Sequence, residues 1–380
     1  MAEPSGAKAA APRDAYRAAG VDIEAGERAV ALMRDAVAST RRPEVVGGLG
    51  GFAGAFEIPE GYRRPVLVAS TDGVGTKVAL ARRAGRLDGL GSDLVAMCAD
   101  DVACAGAEPL FLLDYVAVGR LVPAEVATVV AGVAAGCRLA GCALLGGETA
   151  EHPGVMRPDD LDLAATCVGV VERDELLDGR AVAAGDVLVG LASSGLHSNG
   201  FALVRRLLVD AGLDLEEPYA AVLRRHAQGV TAEEALADLP LADVLLAPTR
   251  IYAKVLLAIR AAVRASVEGL DLHGIAHVTG GGLPGNAPRI VPDGLAARLD
   301  PGRWAMPSVM RLLGVVGGLD GAELRATFNG GLGMVLAVPP GAAVEAALAT
   351  AAAHGMPGVV VGEVIPVAAA GGQRYVEAGG

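Results

Sequence analysis

With 380 residues the chain is long enough for two domains, since single hydrophobic cores rarely grow beyond roughly 250–300 residues. A hydrophobic share of 52% against 20% charged excludes a disordered chain. The formal net charge of −12 argues against a nucleic-acid surface, which depends on Lys and Arg contacts to phosphate. A phosphorylated small molecule stays compatible if backbone N–H groups, a few basic side chains or metal ions meet it locally.

Aromatics make up only 3%, so the core is built from Ala, Val and Leu, and 53 glycines signal many tight turns and close backbone approaches. No run of about 18 uninterrupted apolar residues occurs, so no membrane span is expected. The first fifteen residues lack the basic-then-apolar pattern of a signal peptide and read as a mobile tail, which with reduced thiols points to the cytoplasm. The five cysteines include no C-x-x-C pair, so buried free thiols are expected rather than zinc ligands.

Along the chain, strand and helix signals alternate. Pro65 to Ser70 reads as a strand ending in a Gly-rich turn, Asp93 to Ala105 as a helix, and Leu110 to Val118 as a strand. Pro123 suits a first helical position and opens a helix to about Ala140. Strands follow at Ala143–Leu145 and Ala164–Val171, and the charged segment Glu172 to Gly185 reads as a boundary. The second half gives a strand at Val187–Ala192, a helix from Gly200 to Ala211, a polar stretch from Asp214 to Asp238, and a helix opened by Pro248-Thr249. Further strands are predicted at His273–Val278, Leu295–Leu299, Met334–Val338 and Val359–Val364, with helices at Pro307–Val316 and Ala342–His354. The pattern predicts a mixed α/β fold in two parts, each with its own core.

Several segments place polar residues beside glycines directly after apolar runs, where catalytic groups tend to stand. In Ser70-Thr71-Asp72-Gly73-Val74-Gly75-Thr76-Lys77 an aspartate between close-approach glycines can reach a metal or phosphate, or can simply cap a helix. Asp93 and Asp100 lie seven apart, so a helix stacks them on one face beside Asp101. Clustered carboxylates suit Mg²⁺, though a solvated helix face has the same spacing. Gly146-Gly147-Glu148-Thr149 brings a carboxylate off a buried strand. Ser193 to Gly200 and Thr279 to Gly282 are glycine-bounded turns whose N–H groups can bind an anion, with His197 and His277 as acid/base or phosphate-contacting candidates or as structural hydrogen-bonders. Gly47 to Gly54 reads as a loop that folds over a ligand, or as a linker.

These segments carry a resemblance to one family, the aminoimidazole ribonucleotide synthetases (phosphoribosylformylglycinamidine cyclo-ligases). Its carriers are TRRPEVVGGLGGFAG, STDGVGTK, DLVAMCADD, GAEPLFLLDY, GCALLGGETAEHPG, SSGLHSNGF, LAPTRIY, IAHVTGGG and ATFNGGLGM, in family order from Tyr16 to about Val364. The resemblance implies ATP-dependent ring closure of formylglycinamidine ribonucleotide through phosphorylation of its amide oxygen. It implies ATP with Mg²⁺, and K⁺ as a further ion. The metal role falls on Asp72, Asp100, Asp101 and Glu148, with Asp93 as an addition, and the catalytic roles on His197, Lys77 and Asp101. Nucleotide contacts fall on Gly50, Gly51, Asp72, Gly73, Gly75, Thr76, Lys77, Asp114, Gly147 and Thr149. Substrate contacts fall on Ser194, His197, Ser198, Asn199, His277, Thr279, Gly280, Gly281 and Gly282.

The implied fold is α/β with α+β character. A tail over 1–15 precedes an ATP-binding and dimerisation domain over 16–172, a substrate domain over 173–370 and a tail over 371–380. Two chains join their N-terminal sheets into a barrel, so a homodimer is expected, with no nucleic acid or membrane as partner. Asp100 stands where many members have Asn, and Gly330 where some have Cys. The competing reading is another phosphoryl-transfer enzyme of the same superfamily, such as a thiamine-monophosphate kinase.

Overall fold

The computed structural model describes residues 19–48 and 51–378, so the expected N-terminal tail and Gly50 lie outside the described residues. Asp22 caps helix α1 (Ile23–Ala38) by accepting from the Ala25 amide at 3.0 Å. A short hairpin, β1 (Val45–Val46) and β2 (Ala55–Phe56), leads to β3 (Pro65–Gly73), α2 (Lys77–Ala84), α3 (Leu90–Cys104), β4 (Glu108–Val118), α4 (Pro123–Ala140), β5 (Ala143–Glu151) and β6 (Leu161–Glu172). The four long strands form one sheet in the order β3-β6-β4-β5, antiparallel except for the parallel β4–β5 pair.

Alternation along β6 explains how that sheet packs. Leu163, Ala165 and Cys167 are buried on the helix side, while Ala164, Thr166 and Val168 face the other way and stay half-buried. That second face also carries Leu67, 59% exposed, and Leu113 and Tyr115, each 39% exposed. Among the described residues α4 alone has the length and apolar composition of a membrane span, and half of it is buried in packing against α1 and α3. Gly91 permits the close crossing of α3 and α4, because a Cβ there would lie 2.1 Å from the Val133 nitrogen.

The second half runs β7 (Val187–Ala192), α5 (Phe201–Asp210), α6 (Tyr219–His226), α7 (Leu241–Leu245), α8 (Ala253–Ser266), β8 (Gly274–His277), α9 (Gly282–Asn286), β9 (Leu295–Leu299), α10 (Ser308–Gly317), α11 (Gly321–Thr327), β10 (Leu332–Val338), α12 (Ala342–Ala353), β11 (Gly358–Pro366) and β12 (Tyr375–Glu377). Its sheet has the order β12-β9-β11-β7-β10-β8. Two expectations are corrected here. Residues from 371 are no tail, because β12 pairs in parallel with β9 and Glu377 pairs with Arg325. The helix expected to open at Pro248 starts at Ala253, because residues 247–253 form a strap held by side chains from both halves.

The halves do not have separate cores. One buried apolar cluster runs from Ala29 on α1 through α3 to Ala351 on α12, and a second lies on the other face of the six-stranded sheet. Helix α3 is the shared element. It packs on β3 and β6 on one side and on α8 and β8 on the other.

Candidate functional site

Strand β3 continues through Gly73, so Asp72 stands on the strand and not in the turn after it. Asp72 pairs with Ala165, Ala165 pairs with Asp114, and Asp114 pairs with Gly147. Two carboxylates and a glycine therefore occupy one row across the sheet, at roughly 4.8 Å per strand. Gly147 is required by this row: a Cβ there would fall 1.7 Å from Asp114 Oδ1. The Gly-Gly-Glu segment lies within β5, and its glycines serve a close side-chain approach where the sequence suggested a turn.

At the β5 edge lies a cavity of 870 Å³. Gly51, Asp114, Gly147, Glu148 and Thr149 line it, together with apolar residues of α1 and the segment that follows residue 50. Burial pushes the Asp114 carboxyl up to about 7, and its Oδ2 accepts no hydrogen bond from any described residue. Glu148 is exposed.

A second space of 340 Å³ opens between the halves. Asp72, Gly73 and Gly75 form one wall and Ser198, Asn199, Thr279 and Gly280 the other. The fold thus joins the first-half carboxylate, expected on nucleotide and metal, to the second-half glycine turns, expected on substrate, in one cleft. Gly281 and Gly282 hold positive φ angles at the turn, and Gly282 packs against the backbone of Arg325. Thr76 is the exposed residue at the N-terminus of α2.

Five of the predicted site residues take other places. Lys77, expected on phosphate, is fully buried, with Nζ 2.8 Å from Asp93 Oδ1 and donating to the Ala247 carbonyl at 3.0 Å. Burial lowers its pKa, and the Asp93 carboxylate offsets part of that. Asp93, expected on metal, is buried and also accepts from the Thr249 amide at 2.7 Å and hydroxyl at 2.6 Å. Asp100 is buried too, and its Oδ1 accepts from the Tyr252 and Ala253 amides at 2.8 Å each, capping α8 from across the halves. Burial pushes its carboxyl up to about 7. An Asn offers the same acceptor, which accounts physically for either residue at this position.

His197 is 1% exposed, sits at φ 60° and accepts from the Ser194 amide through Nε2 at 3.2 Å. Burial holds its pKa well below the usual histidine value, so it is neutral and shapes the turn that carries Ser198 and Asn199. Ser194 donates its hydroxyl to the Pro248 carbonyl at 2.7 Å.

Asp101 keeps a chemical environment. Its Oδ1 lies 2.9 Å from His277 Nδ1, and its Oδ2 accepts from Ser70 Oγ at 3.1 Å. Burial works to raise this carboxyl, but the bonds from His277 and Ser70 outweigh it and hold the pKa low. The pair borders a third cavity, of 370 Å³, with Ser70, Asn286 and Arg289. Arg289 and the strap residues Thr249 and Tyr252 were missed as site residues. Thr249 and Tyr252 fall in the LAPTRIY segment, whose Pro-Thr among apolar residues was the available signal.

Among the described residues no three His, Cys, Asp or Glu side chains gather as a metal cage. Asp93 and Asp100 each commit Oδ1 to internal contacts, and the Oδ2 of each is buried without a partner among the described residues. The donor set therefore fits an ion that arrives on nucleotide phosphates and adds one or two carboxylates, the common Mg²⁺ pattern, and not a resident all-protein site.

Fold and site together define a two-domain protein of the AIR synthase related type. Residues 53–171 match the AIR synthase related protein N-terminal domain, and residues 183–372 match its C-terminal domain. The chain belongs to the phosphoribosylformylglycinamidine cyclo-ligase family. It is 50% identical over 350 residues to the Thermosynechococcus vestitus protein of that name, covering 92% of this chain and 96% of the relative. It is 48% identical over 365 residues to the Geobacillus kaustophilus one, covering 95% and 99%. Among solved structures, hydrogenase maturation protein HypE in complex with ATP superposes with a TM-score of 0.62 at 20% identity, covering 93% of this chain and 90% of that one. A thiamine-monophosphate kinase from Stenotrophomonas maltophilia gives 0.60 at 19%, covering 92% and 96%. These two likenesses concern the fold alone.

Proposed function

We propose that the chain converts formylglycinamidine ribonucleotide and ATP into aminoimidazole ribonucleotide, ADP and phosphate, in the cytoplasm, as a homodimer. The observation that carries this reading is the half-identity to named cyclo-ligases over 92% of the chain. The formamide oxygen of the substrate attacks the terminal phosphorus of ATP and ADP leaves. The amidine nitrogen then attacks the activated carbon, loses a proton, and phosphate departs. Such chemistry asks the protein for positioning and charge neutralisation more than for covalent participation.

The 870 Å³ cavity takes the nucleotide, with Gly51, Gly147 and Thr149 at its walls. Glu148 lines this cavity and Asp72 the cleft between the halves, and each carboxylate would be open to Mg²⁺, which would neutralise phosphate charge there. The 340 Å³ cleft takes the substrate. His277 and Asp101, 2.9 Å apart through Nδ1, border the separate 370 Å³ cavity, and His277 Nε2 has no partner among the described residues.

The test is an assay of purified protein with formylglycinamidine ribonucleotide, ATP and Mg²⁺, read as aminoimidazole product. Phosphorylation of thiamine monophosphate without ring closure overturns the reading in favour of the kinase alternative. Gly280→Ala refines it. A Cβ there meets only Asn199 Oδ1 at 3.5 Å, an ordinary contact, so folding is spared. The expected result is a substrate KM raised about tenfold, roughly 1.4 kcal/mol, with Tm unchanged. An unaltered KM removes Gly280 from the site.

A further inference from the structure

The contacts around Thr249 have a direction. Asp93 Oδ1 receives three donors: the Lys77 ammonium at 2.8 Å, the Thr249 amide at 2.7 Å and the Thr249 hydroxyl at 2.6 Å. An oxygen already accepting from an ammonium and an amide is an acceptor for the hydroxyl as well. Thr249 therefore spends its one hydroxyl proton on Asp93. Ser198 Oγ lies 3.0 Å from Thr249 Oγ1, and since Thr249 has no proton left, Ser198 is the donor in that contact. Ser198 then has only lone pairs for a third partner. It is 8% exposed and lines the 340 Å³ cleft opposite Asp72.

We propose that Thr249 is a positioning residue which fixes the polarity of Ser198, so that Ser198 meets the substrate as a hydrogen-bond acceptor and selects an O–H or N–H donor there, not a phosphate oxygen. This rests on reading the cleft as the substrate site. The chain Ser198→Thr249→Asp93←Lys77 begins in the second half and ends on buried groups of the first. A buried acid paired with a buried ammonium keeps its place, and the polarity follows from it. The substrate offers such donors in its ribose hydroxyls and its amide and amidine nitrogens, whereas its phosphate offers acceptors alone at neutral pH. The phosphate falls to the neighbouring backbone N–H groups and Asn199.

Three variants test this. Ser198→Ala raises the KM for formylglycinamidine ribonucleotide about tenfold but moves the inhibition constant of inorganic phosphate less than about twofold. A parallel loss of both overturns the proposal, because Ser198 then serves the phosphate. Thr249→Val, which keeps volume and removes the hydroxyl, raises the same KM about tenfold with the ATP KM within about twofold, and Thr249→Ser restores it. Equal rises in both KM values, or a Thr249→Ser protein as impaired as Thr249→Val, overturn the positioning role. The relay is also read without substrate: Thr249→Val loosens amide exchange protection over Ser194–Asn199 and Thr249→Ser does not. Unchanged protection sinks the relay, whereas wild-type protein that leaves formylglycinamidine ribonucleotide unconverted sinks the functional reading.

Discussion

Asp114 stands at the inner wall of the 870 Å³ cavity with the Gly147 backbone beside it, and Glu148 is the other carboxylate lining that space. Burial pushes its carboxyl up to about 7, against roughly 3.9 in an unfolded chain. The folded state therefore holds a proton that the unfolded state has lost between those values. The contribution of this group to stability is greatest at the acid end and falls as pH rises toward 7, then stays level. Asp114→Asn has no such proton. Equal Tm near pH 4 and a variant more stable by about 2–4 kcal/mol at pH 8, in ligand-free protein, is the expected outcome in denaturant titrations. A constant difference across that range refutes the assignment. Apart from the family resemblance that put it among the nucleotide contacts, nothing in the local pattern separates Asp114 from any other aspartate within a strand. Its character comes from pairing with Gly147, 33 residues on, where register alone brings the missing Cβ beside the carboxylate.

Helix α3 gathers what the spacing of Asp93 and Asp100 announced and what it concealed. The two do share a face, two turns apart, but that face meets the strap over 247–253 and the start of α8, not solvent or metal. Local pattern cannot distinguish these outcomes, since the deciding partners lie more than 150 positions away. Strands with clear apolar runs were legible, and β9 falls at Leu295–Leu299 as predicted. Where function inserts Asp or Gly, as in β3 and β5, pattern stopped short and the ladder continued. Helices α1 and α2 went unread, and α6 was hidden in a polar stretch. The Lys77–Asp93 pair gives the element-scale prediction. Lys77→Met leaves the Asp93 carboxylate buried beside Thr249 without its cation, so unfolding free energy drops by about 3–5 kcal/mol. ATP KM in the surviving folded fraction stays within about twofold. A stable variant with weakened ATP binding restores Lys77 to the phosphate site.

At the scale of the molecule, the described residues place helices on one face of the four-stranded sheet. The other carries Leu67, Leu113 and Tyr115, with Thr71 and Thr166 hydroxyls 2.7 Å apart between neighbouring strands. An open apolar sheet face of this kind favours burial against another surface. The barrel of paired sheets implied by the family resemblance supplies a second copy of the same face, as two-fold symmetry requires. Leu113 sits on the inner strand β4 and Leu67 on the edge strand β3, on either side of β6, so their substitution reaches both the interior and the rim of the face. Leu67→Lys with Leu113→Glu puts charges into a desolvated contact. With loss of about 2–3 kcal/mol per leucine, dimer affinity falls by at least about a thousandfold. Sedimentation should show wild-type dimer at low micromolar concentration and variant monomer. The monomer should keep its far-ultraviolet circular dichroism, because neither leucine belongs to the helix-side core. A wild-type monomer at that concentration, fully active, removes the dimer from the account and leaves the exposed face without an occupant.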